Sequence, residues 1–214
     1  MDEYERIYGR HADFFGAAPE PLLERFADGI EAGGRVLDIG AGQGRNALWL
    51  AERGFRVTAL EPAGVAARQL AACSRRPGTI EVVEAAVEDY QPEYALAAVL
   101  CFGVIQVLTV RQREVMAGRV TAWLEPGGLL LVTAFSIRDP SYAHWSRRSQ
   151  IVGRHCLRTT EGVVRAYLEP GEILELFPRL EVVHHREGLG PWHRHAGGEP
   201  ERHELIEAVF RRRP

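Results

Sequence analysis

The sequence predicts an α/β fold, an open and mostly parallel sheet with helices on both faces. Three observations lead there. Apolar runs of strand length alternate with helical periodicity along most of the chain. The run 94–102 (Tyr-Ala-Leu-Ala-Ala-Val-Leu-Cys-Phe) is apolar nearly throughout, as a parallel strand buried on both faces should be. The third is residues 35–46, Arg-Val-Leu-Asp-Ile-Gly-Ala-Gly-Gln-Gly-Arg-Asn, where a short buried strand turns through alternating glycines into an amphipathic helix. Without a Cβ at those glycines, the backbone can lie against a ligand. The free N–H groups of the new helix face the same crevice. This pattern marks a nucleotide-type cofactor site in an open α/β sheet.

Each element follows from local signals. Tyr4, Ile7 and Tyr8 share one helix face within residues 1–16, and 19–30 reads as a second helix before the Gly33-Gly34 break. The first strand, 36–39, leads into a helix over 46–53 that stops at Gly54. The second strand, 56–60, ends on Glu61, and Pro62 suits the first turn of a helix reaching about residue 75. Pro77-Gly78 turns the chain into a third strand at 80–85. After the fourth strand, a helix spans 111–123, Glu125-Pro-Gly-Gly makes a turn, and 129–135 forms the fifth strand. Residues 136–164 are the least regular stretch, carrying Arg138, Arg147, Arg148, Arg154 and Arg158 with Tyr142, His144, Trp145 and His155. A helix follows from 166, then a sixth strand at 180–184 and a last one at 204–210. A long loop without a helix joins those two, so they should form an antiparallel hairpin, whereas the earlier strands connect by right-handed crossovers.

Composition narrows the class. At 214 residues with a net charge of −3, the chain gives no reason to expect a nucleic acid or membrane partner. The three cysteines, Cys73, Cys101 and Cys156, are widely spaced and contain no Cys-x-x-Cys, which fits a reducing cytoplasm. A charged N-terminus without an apolar core predicts no signal peptide. All basic residues except histidine are arginine, and Asn46, in the glycine turn, is the only asparagine.

The cofactor follows from the spacing of the turn. A dinucleotide site wants Gly-x-Gly-x-x-Gly, but counting from Gly40 the third position is Arg45, which disfavours a nucleotide-dependent oxidoreductase. Instead an acid, Asp38, precedes Gly40, Gly42 and Gly44, and a second acid, Glu61, closes the next strand, where it could accept from both hydroxyls of a ribose. The stretch resembles motif I and the following acidic motif of class I S-adenosylmethionine-dependent methyltransferases. Gly-Gln-Gly-Arg-Asn-Ala-Leu-Trp-Leu-Ala is similar to the tellurite-resistance (TehB-like) branch. The resemblance implies a Rossmann-like seven-stranded mixed sheet of order 3-2-1-4-5-7-6 in a single domain, 1–214. Residues 1–31 would be N-terminal cap helices and 136–164 a candidate substrate-covering insertion. It also implies S-adenosyl-L-methionine as cofactor. Asp38, Gly40, Ala41, Gly42, Gly44, Arg45 and Asn46 would hold its amino-acid end, and Glu61 with Pro62 its ribose. Val87 and Glu88 would flank the adenine, with Cys101 and Phe102 below the reacting centre. Ala86 stands where relatives carry an adenine-binding aspartate, so Glu88, Asp89 or backbone must serve. In that family the N-terminal helix often covers the cofactor; packing on the domain edge is the alternative.

Methyl transfer from a sulfonium needs alignment, exclusion of water and, for some acceptors, proton removal. Gly190-Pro-Trp-His193-Arg194 matches the Gly-x-x-His-Arg signature of TehB-like proteins. By that resemblance His193 would orient or deprotonate a nucleophile and Arg194 would hold an oxyanion bidentately. The acceptor would be a small molecule, tellurite or selenite being one candidate and another O-, N- or S-nucleophile a second. A non-catalytic cofactor-binding protein is a further alternative, and a solvated loop is the bland reading of His193-Arg194. No metal is expected: His193-x-His195, with His184, His185 and His203 nearby, could make a chance metal-binding cluster but lacks a defined third ligand.

Overall fold

The computed structural model describes residues 3–73, 78–194 and 198–214. The chain begins with α1 (Glu3–Arg10) and α2 (Pro21–Phe26), then β1 (Arg35–Ile39), α3 (Arg45–Glu52), β2 (Arg56–Leu60), α4 (Gly64–Cys73), β3 (Ile80–Val83) and β4 (Leu96–Cys101). Next come α5 (Val110–Trp123), β5 (Leu124–Phe135), α6 (Pro140–Ser146), β6 (Gln150–Gly153), β7 (Cys156–Arg158) and β8 (Val164–Ala166). The last elements are α7 (Glu172–Leu176), β9 (Leu180–Leu189) and β10 (Glu204–Arg212).

Seven strands form one sheet of order β3-β2-β1-β4-β5-β10-β9. The first five are parallel, while β10 runs antiparallel to both β5 and β9, as the helix-free connection required. This is the expected order 3-2-1-4-5-7-6. Every residue of β4 is buried. Its side chains and those of β5 alternate between two apolar layers, Val99, Leu130 and Val132 under α5 and α7, Leu100, Leu129 and Leu131 under α2 and α3. α5 starts at a capping box in which Thr109 and Gln112 exchange hydrogen bonds. Among the described residues no helix is long and apolar enough to cross a membrane.

Four expectations change. Glu125-Pro-Gly-Gly is not a turn ahead of a strand but part of β5. Leu96 pairs with Leu124 and Ala98 with Leu129, so the glycine-rich segment bulges out of a ladder that continues across it. Residues 136–164 supply α6 and, with 164–166, a three-stranded antiparallel sheet, β6-β7-β8. Its strands are only three or four residues long, too short for alternation to show. α4 begins two residues after Pro62, which therefore lies in the connection. The helix expected from 166 shrinks to α7, since Ala166 ends β8.

The turn into α3 is sterically closed. Gly44, its N-cap, has φ +92°, and a Cβ there would fall inside the Leu70 side chain of α4. Gly44→Ala should therefore cost about 2–4 kcal/mol, combining a left-handed backbone with overpacking. Urea denaturation of the purified variant checks this, and an unchanged midpoint would show that the turn can relax.

Candidate functional site

The carboxyl ends of β1 and β2 meet through the glycine turn. Gly40 and Ala41 both donate their N–H to the Leu60 carbonyl, at 2.8 and 3.1 Å, tying the turn to the end of β2. Gly40 and Gly42 share the left-handed conformation of Gly44, with φ +67° and +55°. A Cβ at Gly40 would come within 2.8 Å of Val104, and one at Gly42 within 3.0 Å of the Tyr8 hydroxyl. Elements from three directions, the loop after β4, α1 and α4, thus press on the turn.

Two carboxylates lie buried beside it. Glu61 Oε2 accepts from the Gly42 N–H at 2.7 Å and Oε1 from the Ala63 N–H at 2.8 Å. Asp38 is 1% exposed, and its Oδ2 has no hydrogen-bond partner among the described residues. Burial pushes the Asp38 carboxyl up to about 7; Arg45 and the Ala47 N–H oppose that shift, and the nearby Glu61 charge adds to it. Such a crevice suits a ligand that brings positive charge and hydroxyl donors.

The N-terminal segment closes over this crevice. The Glu5 carboxylate accepts from the Gly64 and Val65 N–H groups at the start of α4, and Gln69 donates to the Tyr8 carbonyl. Gln43 donates to the His11 carbonyl at 2.6 Å and accepts from the Phe14 N–H at 2.8 Å. Arg45 pairs with Glu20 at 2.7 Å, and Asn46 Oδ1 accepts from the Glu20 N–H at 2.9 Å. Of the two sequence alternatives for the first helix, the Tyr8–Gly42 approach places it over the turn. The side chains of Arg45 and Asn46, expected to face the cofactor, are directed to residues 18–20. That gives the single asparagine of the chain a concrete task.

The other candidates scatter more. Pro62 is exposed between the buried Glu61 and Ala63. Val87 is buried in a short turn whose carbonyl accepts from Arg119. Glu88 is engaged by Gln112 Nε2 at 2.7 Å. Cys101 is fully buried, its Sγ is 3.6 Å from Met116 Sδ, and burial pushes its thiol up to about 12. The Cys101 side chain therefore faces the core beneath α5, leaving only its backbone for the crevice. Phe102 is half-buried against the opposite apolar layer.

At the carboxyl end of β5 the β9–β10 loop returns. His193 is half-buried, with Nδ1 3.2 Å from the Pro191 carbonyl, whereas Arg194 is exposed and donates to the Gly198 carbonyl. Sequence reasoning missed the groups behind His193. Asp139 caps α6 through Ser141, and its second oxygen contacts His203 Nδ1 at 2.9 Å and accepts the Glu204 N–H. Hydrogen bonds to the charged form hold the Asp139 carboxyl below its usual range, against the opposing effect of burial. The His203 ring stacks on Phe135, 4.3 Å between centroids. Asp139-Pro140 is a readable helix start; His203 stands among the histidines that the sequence gathers near His193, but its pairing with Asp139 carries no local signal. His195 lies outside the described residues.

Comparison with known proteins agrees with this geometry. Residues 36–128 match the family model described as a methyltransferase domain. The chain carries a methyltransferase domain over these residues, on the fold of class I S-adenosylmethionine-dependent methyltransferases. A search of curated proteins gives no match. Among solved structures, TehB from Haemophilus influenzae is similar at 15% identity and TM-score 0.68, covering 90% of this chain and 61% of that one. This methyltransferase therefore spans about three fifths of TehB's length. A S-adenosylmethionine-dependent methyltransferase from Methanosarcina mazei aligns at 16% identity and TM-score 0.71, over 92% of this chain and 99% of its own. The 1,6-didemethyltoxoflavin-N1-methyltransferase of Burkholderia thailandensis does so at 19% and 0.69, over 91% and 78%. At these identities the likeness speaks for the fold.

Asp38 gives the methyltransferase a testable pH signature. Its folded pKa lies above the unfolded value of 3.8, so the folded state holds the proton more tightly. Ionising the group therefore costs stability as pH rises from about 4 to 7, and the cost is fully present above pH 7. Asp38→Asn should be more resistant to urea than the parent at pH 8, by up to about 4 kcal/mol, with the gap closing below pH 4. Equal midpoints at pH 8 would remove the strain assigned to this carboxylate.

Proposed function

We propose that the chain transfers the methyl group of S-adenosylmethionine to a nucleophilic oxygen, nitrogen or sulfur of a small organic acceptor. The observation that carries the acceptor class is a cavity of about 580 Å³ between α1 and the β6-β7-β8 cover. Its wall includes Glu3, Arg6, His144, Trp145, Arg148 and Arg165. Arg165 reaches Glu3 at 3.3 Å, joining cover to α1, and its guanidinium lies 4.3 Å from the Trp145 ring centroid. α1 also sets Tyr8 against Gly42, so one short helix borders both the glycine turn and the cavity. The volume falls in the range of small-molecule sites. Three guanidinium groups beside an indole favour a planar acceptor with negative charge.

In this reading Asp38 takes the ammonium of the cofactor's amino-acid end, a group matched to the unpartnered Oδ2. Gly40, Ala41, Gly42 and Gly44 let that end approach the backbone. Glu61, exchanging its hold on Gly42, accepts from the ribose hydroxyls, with Pro62 beside it. Val87 and backbone flank the adenine, and Phe102 borders the reacting centre. Arg45 and Asn46 act as positioning residues that hold segment 18–20 over the site. When bound, the cofactor supplies its own leaving group, and the chain's work is to align the acceptor and keep out water. The Burkholderia relative, solved with 1,6-didemethyltoxoflavin and S-adenosylhomocysteine, supports a small organic acceptor.

A tellurite- or selenite-type oxyanion is the second reading, favoured by Gly190-Pro-Trp-His193-Arg194 and the likeness to TehB. There His193 would orient or deprotonate the nucleophile and Arg194 would grip the oxyanion.

Two measurements test the proposal. Calorimetry should show Glu61→Gln weakening S-adenosylmethionine roughly tenfold to a hundredfold, the loss of charged hydrogen bonds worth about 1.5–3 kcal/mol. Unchanged affinity would take Glu61 out of the site. An acceptor screen with labelled methyl donor should then find an organic anion whose KM rises at least tenfold in an Arg148→Ala/Arg165→Ala variant, with cofactor affinity kept. Methylation of tellurite alone, abolished by His193→Ala and Arg194→Ala and untouched by the double variant, would favour the second reading. Tight cofactor binding without methylation of any acceptor would point to a sensing or scaffolding role.

A further inference from the structure

Two imidazoles and a carboxylate converge on the β9–β10 loop. One ligand atom each from His193, Glu201 and His203 lie within 4.8 Å of one another. The backbone brings them together. His193 and Glu201 face each other across an antiparallel bridge, each N–H donating to the other's carbonyl at 2.9 Å. His203 stands two residues beyond Glu201, which returns an extended chain to the same face.

The histidines are also oriented from behind. His203 Nδ1 is held at 2.9 Å by Asp139, whose side chain is fully enclosed, and its ring is fixed by stacking on Phe135. That leaves Nε2 as the nitrogen turned towards the cluster, 3.7 Å from Glu201 Oε2. His193 Nδ1 lies 3.2 Å from the Pro191 carbonyl, repeating the arrangement with a backbone acceptor. A carboxylate or carbonyl on one ring nitrogen is how metal-binding histidines are set in the correct tautomer.

We propose that His193, Glu201 and His203 form a site for a divalent transition ion, with zinc the best match. Two neutral imidazoles and one carboxylate are a zinc donor set that leaves the fourth position open. Calcium and magnesium would ask for more oxygen ligands. The 3.7 Å separation is close to the edge of a zinc tetrahedron, about 3.3 Å for bonds near 2.0–2.1 Å. Of the histidines that the sequence gathers here, His193 and His203 come together, and the third ligand, Glu201, comes with His203 from the opposite arm of the loop. With an ion in place, the loop is pinned through His203 and Asp139 to the start of α6, the first element of the cover. The inference stands apart from the identity of the methyl acceptor. It does compete with a general-base role for His193, because a metal-bound imidazole cannot also take a proton.

The test uses tag-free protein stripped on a chelating resin and titrated with Co²⁺, whose four-coordinate complexes absorb in the visible. The expected result is saturation at one ion per chain, with Zn²⁺ displacing the cobalt and bleaching the band. Glu201→Gln and His203→Ala should each weaken Co²⁺ at least tenfold. Asp139→Asn should weaken it about 10–100-fold through the loss of support to His203. Glu201 is exposed, so its variant remains informative if His203→Ala fails to fold. Absence of a cobalt spectrum, or a spectrum unchanged in Glu201→Gln and in a His193→Ala/His203→Ala variant, would overturn the site. Calorimetry of S-adenosylmethionine binding, run on the same samples, reports on the methyltransferase reading separately.

Discussion

Two buried carboxylates at the ends of neighbouring parallel strands are the constraint around which the rest of the molecule is arranged. Asp38 ends up enclosed because β1 is central and covered on both faces, and Glu61 because β2 lies beside it. The register between these strands sets Asp38 opposite Ala59 and Ile39 opposite Leu60, so Glu61 follows two positions beyond the partner of Asp38, at the same end of the sheet. Like charges in a poorly solvated crevice repel and raise each other's pKa. The fold answers with N–H groups: Gly42 and Ala63 point at Glu61, and Ala47 supports Asp38. Only glycine at 40, 42 and 44 lets the backbone bend tightly enough to present them while α1, α4 and the Val104 loop press close. Burial therefore leaves Asp38 as a carboxylate that favours its neutral form.

The same turn organises the first twenty residues. Gln43, Arg45 and Asn46 lie on the outer side of the glycine path, and all three bond to residues 11–20. The glycines therefore shape the turn, and the polar side chains between and after them hold residues 11–20 against it. This division explains how a single motif reads as a cofactor loop and also fixes α1, which by itself is eight residues long and too short to be stable without tertiary contacts.

The sequence was most legible where one signal had one physical cause. Continuous apolar runs gave β4 and β5, the glycines gave the turn, and the missing helix between the last strands gave the antiparallel β10. Legibility fell where the cause was long-range. Arg45 and Asn46 sit inside the motif, but their partners are 25 and 26 residues away, and nothing local says which side of the turn they face. Cys101 follows the apolar strand, yet whether it points to crevice or core depends on the α5 packing that supplies Met116. The cover sheet was invisible because three-residue strands carry no period, and Glu125-Pro-Gly-Gly misled because a bulge and a turn share the same residues. Asp139 and His203 are 64 residues apart and meet only because β10 lies against β5.

That last pairing shows why the antiparallel strand matters for chemistry. A parallel sheet offers its carboxyl ends, and the loops that follow them, to a ligand. An antiparallel strand set between β5 and β9 reverses the rule and delivers an amino end to the same side. Here the amino end of β10 carries Glu201, His203 and Glu204 back to Phe135 and Ser136, where β5 gives way to the cover. Asp139 receives both His203 and the Glu204 N–H on one oxygen while capping α6 with the other. One enclosed carboxylate therefore joins the hairpin, the end of the parallel sheet and the cover into a single unit. The glycine turn is built at the ends of β1 and β2, and the Asp139 unit where β5 and β10 meet.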